Sequence, residues 1–193
     1  MTMNWARAAA AAGALYAARR YYRNWGTTKD ECRMQLAGDE LIRRPVTRTT
    51  EGVSIDAPAE AVWQQLLRRI HPAQRTVVPG DVIRLIPQGR LGRRLDLELA
   101  VEQVVDGSAV VLRGARPDFP WQTVMSFHVL PRLADRCRLL VRIRTALRHP
   151  GEVLLVELSG PAMAMLTRRL LLGIKHEAEG AGRSDGSELT IGL

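Results

Sequence analysis

The stretch GEVLLVELSGPAMAMLTRRLLLGIKHEAE, residues 151–179, decides how this chain folds. Wound as a helix, it places Met163, Leu166, Leu170 and Ile174 within one narrow arc, while Arg168 and Lys175 lie across the axis. A stripe at that spacing needs an apolar surface to cover. Pro161, behind Ser159 and Gly160, either starts the helix with Ser159 as its cap or kinks it one turn in. Gly180-Ala181-Gly182 marks the expected end, which leaves residues 181–193 as a loose polar tail.

The residues upstream supply that surface as strands. Val46 to Ile55 is rich in β-branched residues, with Val53 and Ile55 on one parity, and reads as the first strand. Asp56, Pro58 and Glu60 then form a helix start, with Asp56 as the expected cap. The helix carries Val62, Trp63, Leu66, Leu67 and Ile70 on one face and ends at His71-Pro72. Val82 to Pro87 forms a short strand after the Pro79-Gly80-Asp81 turn. Leu95, Leu97, Leu99 and Val101 alternate with Asp96, Glu98 and Glu102, the period of a sheet with one wet face. Those carboxylates point away from the apolar stripe, so they read as solvated charges rather than acid/base or metal groups.

Asp106-Gly107 is a hairpin turn, and Ser108 to Arg113 returns from it. In Trp121 to Pro131, Trp121, Met125, Phe127 and Val129 share one parity, with Gln122, Ser126 and His128 on the other. Beyond Ala134-Asp135, Leu139, Val141 and Ile143 alternate with Arg138, Arg142 and Arg144. His128 and the arginine stripe are expected to face solvent. Six strands joined mostly by tight turns, with helices on one face, define an α+β architecture: a curved antiparallel sheet wrapped around the long C-terminal helix.

Composition bounds the function. The 193 residues are 46% apolar, enough to bury a sizeable core. The net charge is +8, but residues 1–25 hold Arg7, Arg19, Arg20 and Arg23 with no acid, so the remainder has 24 bases against 20 acids. A mildly basic body with 5% aromatics argues against nucleic-acid binding. Cys32 and Cys137 are far apart and lack partners at metal-ligand spacing, so both are expected as reduced thiols in a cytoplasmic setting. Residues 1–25 form an alanine- and arginine-rich helix or arm, and residues 26–45 an arm whose Lys29, Asp30 and Glu31 read as solvated. The uncharged run Ala8 to Ala18 is too short to span a bilayer. Three readings of residues 4–25 stay open: a solvated helix, a helix lying on a membrane with Trp5, Tyr16, Tyr21, Tyr22 and Trp25 at headgroup level, or a signal or anchor.

Several segments together resemble a known family. They are Trp25-Gly26-Thr27-Thr28 with Glu31, Gly38-Asp39-Glu40-Leu41, Ile55-Asp56-Ala57-Pro58 through Trp63, Gly80 to Leu85, Val111-Leu112-Arg113-Gly114, Pro120-Trp121, and Leu171-Leu172-Gly173-Ile174-Lys175. Their order and spacing are similar to the SRPBCC superfamily, which includes START-domain, pollen-allergen-like and polyketide cyclase/dehydrase-like proteins, and most of all to its actinobacterial members. The resemblance implies the helix-grip fold over residues 46–180, with an apolar cavity between sheet and C-terminal helix for a lipid, polyketide or similar molecule. The insertion usual after the first helix is absent, since the chain passes from Ile70 to Val82 without it.

For catalysis a nucleophile, base or metal must stand within reach of a substrate. The chain has no G-x-S-x-G, Walker loop, H-E-x-x-H or Cys/His cluster, and no catalytic residue, metal or cofactor is expected. Expected cavity residues are Trp63, Leu97, Leu99, Trp121, Met125, Phe127, Val141, Ile143, Met163, Leu166 and Leu170, with Thr123, Arg169 and His176 as polar members. The leading expectation is a non-enzymatic binder of a hydrophobic small molecule. A cyclase- or dehydrase-like enzyme and a small domain with a filled core are the alternatives.

Overall fold

The computed structural model describes residues 23–72, 76–84, 98–114 and 121–188, with a few isolated positions before them. Among these residues, the alternating segments make strands β1 (Thr47–Ile55), β2 (Val82–Arg84), β3 (Glu98–Val105), β4 (Ala109–Gly114), β5 (Trp121–Leu133) and β6 (Arg136–Leu147). Helix α1 (Lys29–Arg33) precedes them, α2 (Ala59–Ile70) follows β1, and α3 (Val153–Glu188) closes the chain. The strands form one antiparallel sheet in the order β1-β6-β5-β4-β3-β2. A bulge between Val101 and Gln103 locally bends and twists β3 against β4.

The connection from β1 to β2 must travel from one sheet edge to the other, and α2 makes that crossing. Its spacing puts Val62, Trp63, Leu66, Leu67 and Ile70 on one buried face. They join Ile55, Leu99, Leu112, Phe127, Val129, Leu139 and Val141 of the sheet with Leu171, Ile174 and Ala178 of α3 in one core. Each such side chain contributes about 1.5–3 kcal/mol by leaving water. Asp56 does not cap α2: its carboxylate pairs with Arg136 at 3.0 Å, its backbone N–H donates to Glu179, and Pro58 takes the cap position.

Helix α3 starts at Val153 and carries Pro161 inside it, as one of the two readings of that proline has it, and differs from its sequence reading in two ways. Its most buried positions are Ala164, Thr167, Leu171, Ile174 and Ala178, while Met163, Leu166 and Leu170 flank them half-buried. Small residues at the centre let α3 approach α2 and β1, with the longer side chains spread to either side. It also runs through Gly180 and Gly182 to Glu188, because glycine permits a left-handed turn without requiring one; the described positive-φ glycines lie elsewhere. The end of the expected tail, from Leu189, lies outside the described residues.

The largest correction concerns the other face of the sheet. The arginine stripe is not wet, because residues 26–45 lie across it as a strap. Arg142 is fully buried, donating to Asp39 at 2.7 Å, to the carbonyls of Glu31 and Met34, and to the Thr50 hydroxyl. Arg144 reaches the other Asp39 oxygen at 2.7 Å and the carbonyl of Ile42. Arg138 donates to both oxygens of Glu31 and to the carbonyl of Gly26. Glu31 is thus buried rather than solvated, and its side chain also accepts from Thr28 N–H in a capping box that starts α1. Ile42 packs on Val111 and Val124 beneath the strap.

Two glycines allow this close path. Gly38 has φ +88°, and a Cβ there would stand 2.7 Å from Val111 Cγ1. Gly26, at φ +69°, would drive a Cβ into the Gly52 carbonyl oxygen. His128, expected in solvent, is also buried on this face; burial first, then the Arg142 charge, lowers its pKa to about 4, against the pull of Asp39. Burial raises the Glu31 pKa, but Arg138, Thr28 N–H and Arg132 outweigh it and hold the carboxyl below its ordinary value.

Replacing Arg142 by alanine leaves Asp39 Oδ2 and several carbonyls without their donor under the strap, and is expected to cost about 3–5 kcal/mol in urea unfolding. The same variant should expose Cys32, half-buried beside Thr27, to faster thiol labelling. Cys137 is the internal control, since burial pushes its thiol up to about 11. Gly38→Ala is expected to cost about 1–3 kcal/mol, combining strain at positive φ with overpacking.

Candidate functional site

A helix-grip fold offers its interior between the inner sheet face and α3, so the site is built from the side chains that point there. On the sheet these are the odd-numbered members of β1, β5 and β6, because Glu51 pairs with Val141, and Phe127 pairs with Val141 from the other side. Trp63, Leu99, Met125, Phe127 and Val141 are fully packed in the core. Trp121 and Ile143 are half-buried, like Met163, Leu166 and Leu170 on α3. Thr123 is buried on the inner parity. Arg169 and His176 are exposed on α3, so neither reaches the interior. Leu97 lies outside the described residues.

The charged group that the grip does enclose is one the sequence reading passed over. Glu51 belongs to the parity marked inward by Val53 and Ile55, and it is 2% exposed. Arg168, expected across the helix axis from the core, faces it instead: Arg168 Nε stands 3.8 Å from Glu51 Oε2. That separation is an ion pair without a hydrogen bond, and Glu51 Oε2 is a buried acceptor with no hydrogen-bond partner. Burial raises the Glu51 pKa to about 7, with the Arg168 charge pulling it back. The guanidinium is also stacked over the Trp25 ring, 5.1 Å from its centroid.

Trp25 itself is held at the edge of β1. Its carbonyl accepts from Gly52 N–H, and its ring packs at the margin of the core. The Trp25 ring therefore packs on the protein. Most of the remaining segment 4–25 lies outside the described residues. No helix among the described residues is long and apolar enough to cross a membrane, and no group of His, Cys, Asp and Glu among them could hold a metal ion.

No family model matches the chain, and no curated protein matches it. Similar solved structures do exist. A protein of unknown function from Staphylococcus aureus aligns at 14% identity with a TM-score of 0.51, covering 71% of this chain and 97% of that one. A START superfamily protein from Mycobacterium smegmatis aligns at 13% identity and a TM-score of 0.42, covering 67% and 97%. The di-domain ARO/CYC protein BexL aligns at 15% identity and a TM-score of 0.48, covering 69% of this chain and 47% of its own length, so this chain spans about half of it. At such identities the likeness is one of fold.

Glu51 and His128 give stability opposite dependences on pH. Between its ordinary 4.5 and about 7, Glu51 is protonated in the folded chain and ionised in the unfolded one, so its contribution falls as pH rises. His128 is neutral when folded down to about 4 and protonated when unfolded below 6.5, so its contribution rises with pH. Glu51→Gln removes the falling slope. Urea unfolding of this variant between about pH 4.5 and 6.5 is expected to gain stability with pH more steeply than the parent, by up to about 1.4 kcal/mol per unit. Parallel profiles would overturn the assignment of Glu51 as a buried, protonated carboxyl.

Proposed function

We propose that the chain binds a hydrophobic small molecule, such as a lipid or polyketide, between the inner sheet face and α3, without transforming it. What carries this reading is the half-buried apolar set Trp121, Ile143, Met163, Leu166 and Leu170. A filled core would have closed over these side chains, whereas here they keep surface to offer a ligand. The fully packed Trp63, Leu99, Met125, Phe127 and Val141 form the floor beneath them. The helix-grip fold, shared with START-like proteins, is compatible with such a cavity, and the sequence resemblance to actinobacterial SRPBCC members points the same way.

A second reading, a cyclase- or dehydrase-like enzyme, gains support from one observation. Glu51 is a buried carboxyl with a pKa of about 7, within the range useful for proton transfer near neutral pH. The binder reading is preferred because no second acid/base group stands beside it among the described residues.

Native mass spectrometry of the purified protein is expected to reveal a co-purifying apolar molecule, and the protein to bind the apolar fluorophore N-phenyl-1-naphthylamine. Leu166→Gln should weaken that binding by about 1 kcal/mol, roughly fivefold. A protein that is empty and also fails to bind the fluorophore would not be a carrier of this kind.

A further inference from the structure

We infer that the end of the molecule where β1 begins is a docking surface for an anionic lipid bilayer, gripped through Arg43, Arg44 and Arg48. Such a surface goes beyond the small-molecule site proposed above and stands without it.

The topology gathers three elements at that end. Thr47 pairs with Thr145, and Val46 N–H donates to the Thr145 carbonyl, so β6 reaches its last residues beside the start of β1. Helix α3 runs alongside β1, with Glu179 bonded at Asp56, Lys175 at Ser54 and Arg168 beside Glu51. Tracing both back, at about 3.3 Å per strand residue and about 1.5 Å per helix residue, the first two turns of α3 stand level with Thr47. Arg23, whose guanidinium meets Glu157 at 2.8 Å, brings the start of the chain to the same place.

Positive charge collects there without an answer. Arg43, Arg44 and Arg48 are exposed and make no ion pair among the described residues. Their backbone is held: the Arg43 carbonyl accepts from Arg144, and Arg48 stands directly opposite Arg144 in the sheet register. The acids nearby are engaged elsewhere. Asp39 serves Arg142 and Arg144, Glu40 accepts from Gly38 N–H, Glu152 accepts from the N–H groups of Arg148 and His149, and Glu157 meets Arg23. The excess reaches into the strap, where burial first, and then the Arg48 and Arg144 charges, lower the Arg142 pKa against the pull of Asp39.

The apolar side chains at this end select the partner. Val46, Val153 and Leu158 are all exposed. Arginines bordered by exposed aliphatic side chains match a bilayer interface, with guanidinium groups at the phosphates and aliphatic groups at the acyl boundary. A nucleic acid would ask for stacking aromatics beside the arginines, and the exposed apolar side chains here are aliphatic. The sequence that precedes Arg23 leaves from this end and adds Arg7, Arg19 and Arg20 with Trp5, Tyr16, Tyr21 and Tyr22, the composition of an interfacial segment.

The test is co-sedimentation of the full chain with vesicles of phosphatidylcholine alone and of phosphatidylcholine containing about one third phosphatidylglycerol. Binding is expected to the anionic vesicles only, at about 0.05 M salt, and to be lost at about 0.5 M. Arg43→Ala combined with Arg44→Ala should weaken it about thirtyfold. Leu158→Asp should weaken it about tenfold, through the lost aliphatic contact and the added negative charge. Arg136→Ala removes a charge at the opposite end of β6 and should bind as the parent does. Thermal melts establish that the variants are folded. Equal binding to both kinds of vesicle, binding to neither, or a double variant that behaves like Arg136→Ala overturns the docking surface. A duplex oligonucleotide bound more tightly than the anionic vesicles at the same salt would make the partner a nucleic acid and overturn it too.

Discussion

The structure depends on the alternation along β6, where aliphatic side chains point one way and arginines the other. Leu139, Val141 and Ile143 anchor the grip that α2 and α3 close from one side. Arg138, Arg142 and Arg144 anchor the strap that covers the opposite side. A central strand of an antiparallel sheet must cover both faces or wet one of them. Here it covers both, by different physics: dispersion and water exclusion within the grip, charge-assisted hydrogen bonds beneath the strap.

Burying three arginines is costly unless every donor is used. The strap meets that demand mainly with backbone carbonyls, which are exposed because most of it is not regular helix or strand. Glu31 and Asp39 supply the compensating charge, and each serves two arginines: Glu31 serves Arg138 and Arg132, and Asp39 serves Arg142 and Arg144. The segments around these acids are the same ones that carry the family resemblance, Trp25 to Thr28 with Glu31 and Gly38 to Leu41. Their part in the fold is to clamp the outer face. Gly26 and Gly38 complete the device by letting the backbone come close enough for the carbonyls to be reached.

The strap and the grip meet at Trp25. Its backbone extends the β1 edge through Gly52, while its ring turns inward to cover Arg168. The Glu51–Arg168 pair thus sits where the two layers join, on the inner face of the grip. Burial there raises the Glu51 carboxyl to about 7, so at neutral pH it costs stability relative to the unfolded chain, where it titrates at its ordinary 4.5.

The sequence by itself determined the six strands, the amphipathic α2 and the long α3, since each is written in a local period of two or about 3.6 residues that burial enforces. It also marked the inward parity of β5 and β6, and with it most of the floor of the grip. What it could not decide was what lies against a polar parity. Solvent and a strap of carbonyls and carboxylates leave the same alternation of Arg138, Arg142 and Arg144, and only the tertiary structure distinguishes them. The rotation of α3 escaped for a related reason: the largest apolar residues mark the stripe in sequence, whereas close packing favours small ones such as Ala164 and Ala178 at its centre. Glu51 was legible as one charge on the parity of Val53 and Ile55. Its partner Arg168, 117 residues after it on α3, and the Trp25 ring that covers that guanidinium are brought there by long-range topology that local periodicity does not encode.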